Sequence, residues 1–279
     1  MEPSELIVIP VFNEEENLSG LLQQLKGREN SVLLVNDGST DFSAEIIHAS
    51  GFLYIDFETI RGVSEVYKES LRYGLKNGYK RFITFDSDGQ HDPSYIDYFS
   101  SQLSICKLVI GNRFTKIDYI PEAKVASNLF ATMLTKMLFQ VELPDVACGF
   151  RACDLTTLAS RNYRSHSFGV VYEHLFYHLA ENLPLAYVPI PPTYPPLPIY
   201  ATKKSELLSL IEAAQCFSTL PALGILHQKV RQEVDFRIEL FEHLFEAVYV
   251  APHGYVFSTN MNKAFRYYKS LKGKMVFNY

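Results

Sequence analysis

The chain has 279 residues, of which 47% are apolar and 20% are charged, so it can build the core of one large α/β domain with an appendage or of two domains. Its formal net charge of −5 at pH 7 gives no support for a nucleic-acid partner. The four cysteines form no C-x-x-C pair, so their spacing indicates neither a zinc site nor a disulfide framework, and we expect reduced thiols.

No segment has the pattern of a membrane span or a signal peptide. The first residues lack a basic segment, and no apolar run approaches the roughly 18–20 residues that cross a bilayer. The stretch 207–226 is interrupted by Glu212, Gln215 and Pro221. We therefore expect a cytoplasmic protein that does not cross a membrane by itself.

Apolar runs alternate with helical patterns along the first half of the chain. Strands are predicted at 6–12, 32–35, 52–55, 82–85 and 107–113, and the stretches between the first four have helical features. This alternation predicts a parallel, right-handed sheet covered on both faces. A long helical pattern at 123–139, an amphipathic stretch at 170–183 and a last strand at 186–190 follow.

A proline-rich connector marks the clearest domain boundary. Six prolines lie between Pro189 and Pro198, which is typical of a stiff extended segment. The sequence therefore predicts one α/β domain over residues 1–200 and a mostly helical C-terminal extension over 201–279. Residues 262–279 carry five basic side chains and no acid among several aromatic residues. Such a tail suits either an anionic lipid surface or a helix that packs on the domain.

Three polar clusters follow three of the predicted strands, at 13–14, 36–39 and 86–88. Ligands of parallel α/β sheets bind beyond the carboxyl ends of the strands, so these clusters predict a site at one sheet edge. Asp86 and Asp88 are spaced i, i+2, and Gln90 adds a third oxygen. Magnesium often binds one or two carboxylates together with substrate phosphates. An isolated D-x-D is more often an ordinary polar turn, but the convergence of three clusters favours a metal and phosphate site.

Four motifs together resemble the inverting family 2 glycosyltransferases. They are IPVFNEEEN at 9–17, VNDGSTD at 35–41, DSDGQ at 86–90 and CGFR at 148–151. The branch that they resemble most is the dolichol- or polyprenyl-phosphate sugar synthases, and the resemblance covers residues 6–205. It implies a GT-A fold, a Rossmann-like and mainly parallel sheet with a divalent metal at the D-x-D turn.

The resemblance also implies roles for individual residues. The nucleotide-sugar donor would be bound by Pro10, Phe12, Glu14, Asp37, Asp86, Ser87, Asp88 and Arg113. The metal, Mg²⁺ or Mn²⁺, would be held by Asp86, Asp88 and Gln90. Catalysis would involve Asp88, Arg113 and Asp145, and the acceptor would be bound by Arg151 and Lys204. Two departures concern the base and the acceptor: Asn36 replaces a common acid, and only Lys204 matches the R-x-x-G-x-S-K motif of the lipid-phosphate branch.

The acceptor predicted from these features is a polyprenyl phosphate. The chain has neither the Glu-Asp pair that family members acting on hydroxyls often carry nor any tryptophan for the Q-x-x-R-W motif of processive synthases. A phosphate monoester is mostly dianionic at pH 7 and attacks without a general base. One alternative is transfer to a sugar or protein hydroxyl, with Asp145 or a neighbour as base. Asp145 and Glu173 are the possible bases, and a structural role is the competing interpretation of each. Another is a non-catalytic nucleotide-sugar-binding subunit of a membrane complex. The expected partners are thus a nucleotide-sugar donor, a lipid-phosphate or glycan acceptor, and a membrane surface or membrane subunit.

Overall fold

The computed structural model describes residues 4–115, 119–120, 122–166 and 168–194. Within those ranges, none of the helices combines the length and the apolar character that a bilayer crossing requires. The predicted extension over 201–279, its basic tail and Lys204 all lie outside the described residues, as does the predicted boundary at residue 200.

Seven strands and seven α-helices alternate along the described chain. The strands are β1 (Glu5–Val11), β2 (Val32–Asp37), β3 (Leu53–Phe57), β4 (Arg81–Thr84), β5 (Leu108–Asn112), β6 (Arg151–Asp154) and β7 (Leu185–Pro189). The helices are α1 (Glu15–Gln24), α2 (Ser43–Ala49), α3 (Val63–Lys76), α4 (Ile96–Gln102), α5 (Glu122–Phe139), α6 (Leu155–Ala159) and α7 (Gly169–Ala180).

The strands form one sheet in the order β3-β2-β1-β4-β6-β5-β7. All pairs are parallel except those of β6, which runs antiparallel to both β4 and β5. The predicted mainly parallel sheet with flanking helices is therefore confirmed. The sequence did not predict β6, because its four residues, Arg-Ala-Cys-Asp, lack the apolar run of the other central strands.

The central strands are buried because helices cover both faces of the sheet. Leu6–Ile9 in β1 and Val32–Val35 in β2 have no exposed side-chain surface, as expected for strands of a parallel sheet. β1 lies between β2 on one side and β4 on the other. The chain order changes direction at β1 and β4, so their carboxyl ends form the topological switch point at which ligands of such sheets bind.

Candidate active site

A cleft of about 390 Å³ opens at the carboxyl ends of β1, β2 and β4. All nine residues predicted for the nucleotide sugar and the metal line it: Pro10, Phe12, Glu14, Asp37, Asp86, Ser87, Asp88, Gln90 and Arg113. The structure thus brings together the clusters that follow three separate strands, although their binding roles stay predictions.

Hydrogen bonds join the loop after β1 to the loop after β2. The Asn13 side-chain oxygen accepts from the backbone N–H of Thr40 at 2.8 Å, and the Asn13 N–H donates to the Ser39 hydroxyl at 3.1 Å. The N–H of Glu14 donates to the Ser43 hydroxyl at 2.8 Å. These contacts fix the start of α1, so Glu14 is held at the rim of the cleft by the neighbouring loop.

Asp37 organises the connection that leads into α3. Its two carboxylate oxygens accept from the backbone N–H groups of Arg61 at 2.7 Å and Gly62 at 2.9 Å. The next residue, Gly38, has a φ of +71°, and a Cβ there would lie 2.5 Å from the Ile60 nitrogen. Only glycine fits this close backbone approach. Asp37 therefore shapes one wall of the cleft in addition to lining it.

Four acidic side chains, those of Glu14, Asp37, Asp86 and Asp88, line the cleft. Burial and the neighbouring Asp86 charge raise the pKa of Asp88, and burial followed by the charges of Asp88 and Asp86 raises the pKa of Glu14. Among the described residues, neither Asp88 nor Glu14 forms an ion pair with a lysine or arginine. A group of oxygen ligands with excess negative charge fits a hard divalent cation.

Gln90 contacts Asp88 twice. Its backbone N–H donates to Asp88 Oδ1 at 3.0 Å, and its side-chain amide donates to Asp88 Oδ2. These bonds orient the Asp88 carboxylate. Because Gln90 donates through its two N–H groups, its amide oxygen is the atom with which it could bind a metal ion.

Gly149 allows the backbone to approach Asp86 closely. A Cβ at this position would lie 2.6 Å from Asp86 Oδ2, well inside van der Waals contact. The glycine of the CGFR motif therefore forms part of the wall against which the Asp86 carboxylate rests. The motif is part of the family resemblance, but no feature of the sequence indicates that Gly149 lies beside the D-x-D turn.

His91 supports the same turn from behind, and the sequence reasoning missed it. Its Nδ1 accepts from the backbone N–H of Asp86 at 3.3 Å, and its ring packs against Phe150 at 5.6 Å between centroids. Burial, assisted by the charge of Arg113, lowers the pKa of His91 to about 4. The imidazole is therefore neutral near pH 7, which matches its role as an acceptor at Nδ1.

An ion pair with Asp145 holds the Arg113 side chain at the cleft. Its Nε and Nη2 donate to the two Asp145 oxygens at 2.8 and 3.0 Å, and its backbone N–H donates to Asp145 Oδ2 at 3.2 Å. Asp145 is fully buried and is absent from the residues that line the cleft. Both oxygens of Asp145 therefore position Arg113, which favours the structural role of Asp145 over that of a general base, and its catalytic role stays a prediction.

The alternative base, Glu173, is equally engaged. It is fully buried, and its carboxylate accepts from the backbone N–H groups of Arg164 and Ser165 and from the Ser165 hydroxyl at 2.6 Å. Glu173 thus holds the segment before α7 and has no access to an acceptor hydroxyl.

The contacts of Arg151 give no support to its predicted role in acceptor binding, which stays a prediction. Its side chain is 1% exposed, and its guanidinium donates to the backbone carbonyls of Cys148, Val171 and Val146. Arg151 begins β6, which is paired on both sides, and its side chain points into the protein toward α7. Arg151 therefore joins the sheet to α7. Lys204, the other predicted acceptor ligand, lies outside the described residues.

The sequence did not predict the wall of the cleft opposite the D-x-D turn. It is lined by Val63, Val66, Tyr67, Lys124, Asn128, Phe168, Val171 and Tyr172, from or beside α3, α5 and α7. Asn128 also donates to the Pro144 carbonyl at 2.8 Å and accepts from the Val146 N–H at 3.1 Å, so it fixes the segment that carries Asp145. No short motif marks these residues, because helices distant in sequence supply them.

Helices cover the sheet, and an acidic cleft lies at its switch point. This arrangement is typical of α/β proteins that bind a charged ligand at the ends of the strands. The glycosyl transferase family 2 model matches residues 6–156, which is more than half of the chain, and the chain belongs to this family.

Comparisons with individual proteins agree with this assignment. The chain is 26% identical over 163 residues to an undecaprenyl-phosphate mannosyltransferase of Micrococcus luteus, covering 55% of this chain and 67% of the relative. It is 24% identical over 213 residues to a UDP-N-acetylglucosamine–dolichyl-phosphate N-acetylglucosaminyltransferase of Methanococcus voltae, covering 67% and 85%. In fold it is similar to a glucosyl-3-phosphoglycerate synthase of Mycobacterium tuberculosis, with a TM-score of 0.57 at 16% identity, covering 76% of this chain and 78% of the other.

Proposed function

We propose that this glycosyltransferase moves a sugar, with inversion, from a nucleoside-diphosphate sugar to a polyprenyl phosphate. The observation that carries the proposal is the state of the two candidate bases: Asp145 and Glu173 are both fully buried and engaged in hydrogen bonds. A hydroxyl acceptor needs a base, whereas a phosphate monoester is already mostly dianionic at pH 7. The two relatives described above act, by their names, on undecaprenyl phosphate and dolichyl phosphate.

The donor end of the cleft suits a diphosphate with a divalent cation. Asp86 and Asp88 would hold Mg²⁺ or Mn²⁺, with the amide oxygen of Gln90 as a further ligand. Such an ion, when bound, supplies positive charge against the departing diphosphate. The Mycobacterium tuberculosis synthase that shares this fold was solved with Mn²⁺ and uridine diphosphate, which supports the same arrangement here.

Arg113 would stabilise the negative charge that develops on the leaving group. It lines the cleft, and its bidentate contact with Asp145 fixes the plane of the guanidinium. A hydrogen-bond donor that is already oriented does not need to reorganise during the reaction. Such preorganisation is the main source of electrostatic catalysis. Asp145 therefore contributes as the residue that positions Arg113.

The acceptor phosphate would approach from the wall formed by α5 and α7. Lys124 supplies a positive charge there, and Phe168 and Val171 supply apolar surface. Because a polyprenyl phosphate is confined to a bilayer, the protein would act at the surface of a membrane. We assign this chemistry to a catalytic domain over residues 1–200, with the extension over 201–279 as the candidate membrane or partner contact.

The test is transfer of labelled sugar from a panel of nucleotide sugars with Mn²⁺ present. Three acceptors are compared: a polyprenyl phosphate, the corresponding polyprenol and an oligosaccharide. We expect label in the organic phase with the polyprenyl phosphate alone, and release of that label by mild acid. Asp88→Asn should abolish the transfer. The control is Asp97→Asn, which neutralises an exposed aspartate of α4 that pairs with Arg28; this variant should retain the transfer. Transfer to the polyprenol or the oligosaccharide would contradict the proposed acceptor.

A further inference from the structure

A second group of potential metal ligands lies in the core, apart from the D-x-D turn. Cys153 on β6 and His174 and His178 on α7 each offer one ligand atom, and these three atoms lie within 4.8 Å of one another. All three residues are buried, with exposures of 1%, 2% and 1%. The arrangement follows from the fold: alternate residues of β6 face α7, and residues four apart on α7 lie on one helix face.

Two of the ligands are already oriented. The ring Nδ1 of His178 lies 3.1 Å from the carbonyl oxygen of His174, which orients the ring. The other ring nitrogen, Nε2, lies 4.0 Å from the Cys153 sulfur, and the Cys153 thiol bonds to the Lys107 carbonyl at 3.0 Å.

The third ligand, His174, lacks hydrogen-bond partners for its ring. Neither of its ring nitrogens has a hydrogen-bond partner among the described residues, although its side chain is almost completely buried. A buried polar group without a partner is costly and uncommon in native proteins, and it calls for an explanation. A metal bond to one of the nitrogens is such an explanation.

We propose that Cys153, His174 and His178 form a three-coordinate site for monovalent copper. Thiolate and imidazole are ligands that copper(I) accepts, and this cluster of the described residues supplies three of them, one fewer than a structural zinc site takes. With metal–ligand bonds of about 2.0–2.3 Å, a trigonal site needs ligand atoms roughly 3.5–3.7 Å apart. Small side-chain rotations from the observed separations would reach that geometry.

The charge of the surroundings favours a monovalent ion. Arg151 is buried nearby and bonds only to carbonyls among the described residues, so its positive charge has no adjacent counter-charge there. Binding of Cu⁺ would form a copper–sulfur bond and release the Cys153 thiol proton to solvent, which leaves a neutral copper–thiolate unit. The same site with Zn²⁺ would keep a net positive charge beside Arg151, which is costly in a buried environment.

The experiment is an anaerobic titration of the full chain with Cu⁺ buffered by a bicinchoninate chelator, followed until the signal is constant. We expect one high-affinity copper ion per chain, and X-ray absorption should show one sulfur and two nitrogen ligands. Cys153→Ser and His174→Phe should each weaken binding at least 100-fold with an unchanged far-ultraviolet circular dichroism spectrum. Phenylalanine fills the His174 site without ring nitrogens, so this second variant is expected to fold.

The matched control is Cys106→Ser, which removes a buried thiol that bonds to the carbonyls of Gln102 and Leu108 and is not part of the cluster. It should bind copper as the wild type does. Equal copper binding by the wild type, Cys153→Ser and Cys106→Ser would overturn the proposal, as would sulfur-only coordination of the bound ion. Tight binding of Zn²⁺ at these three ligands, without tight binding of Cu⁺, would overturn the assignment to copper.

Discussion

Replacement of Gly149 by alanine is expected to disable the D-x-D turn without unfolding the domain. The new Cβ would lie 2.6 Å from Asp86 Oδ2, and ordinary contact begins near 3.4 Å, so the carboxylate has to move by about 0.8 Å. Metal–ligand distances tolerate only about ±0.2 Å. The shift is thus several times larger than a metal site accepts. We expect the affinity for Mn²⁺ to fall by roughly 10–100-fold, the range typical of lost support for a metal ligand.

The assay is the electron paramagnetic resonance signal of free Mn²⁺, titrated with protein in the presence of uridine diphosphate. The control is Gly20→Ala on α1, because a Cβ at Gly20 would meet no atom within 4 Å. That variant should bind Mn²⁺ as the wild type does. Equal Mn²⁺ affinity for Gly149→Ala and the wild type would refute the argument that Gly149 makes room for a metal-binding Asp86.

Three further predictions concern buried groups. The folded state binds a proton at His91 only near pH 4, whereas the unfolded state binds it near pH 6.5, so this residue removes roughly 2 kcal/mol of stability between pH 7 and pH 5. His91→Asn, which keeps an acceptor for the Asp86 N–H, should lack that loss in urea unfolding, and an unchanged pH dependence would contradict the assignment. Asp145→Asn should lower stability by roughly 3–5 kcal/mol and slow turnover without shifting its pH profile, because it leaves Arg113 without its buried counter-charge; loss of the acidic limb of that profile would restore a general base. Arg151→Met should lower stability by roughly 3 kcal/mol or more, because three buried carbonyls lose their donor, while the KM for acceptor stays unchanged in the folded fraction; a stable variant with a raised KM would contradict this.

The sequence predicted the residues that line the cleft at the ends of β1, β2 and β4 because its information there is local. The loops after β1, β2 and β4 each carry their polar residues directly after an apolar strand, and parallel strands bring such loops to one edge. The short strand β6 was missed because four residues with two charged ends have no recognisable period. The burial of Arg151 was missed for the same reason, since only its place in the paired β6 shows that it faces the interior.

The remaining parts of the site depend on tertiary contacts that no spacing reveals. Asp145 follows a motif-free stretch, and its pairing with Arg113 joins residues 32 positions apart. His91 lies in the same segment as the D-x-D pair, so a histidine five residues after Asp86 was a visible signal that could have been followed. Lys124 on α5 and the residues from α7 carried no comparable signal, because helical periodicity predicts a helix but not which face meets a cleft.

The central claim is that the cleft binds a nucleoside diphosphate through a divalent cation on the D-x-D pair. Calorimetric titration of uridine diphosphate and guanosine diphosphate, each with Mn²⁺ and with a chelator, tests it most directly. At least one nucleotide should bind with Mn²⁺ and lose that binding in the chelator and in Asp86→Asn, while Asp97→Asn binds as the wild type does. Equal binding of that nucleotide with and without the metal, or by Asp86→Asn and the wild type, would contradict the account.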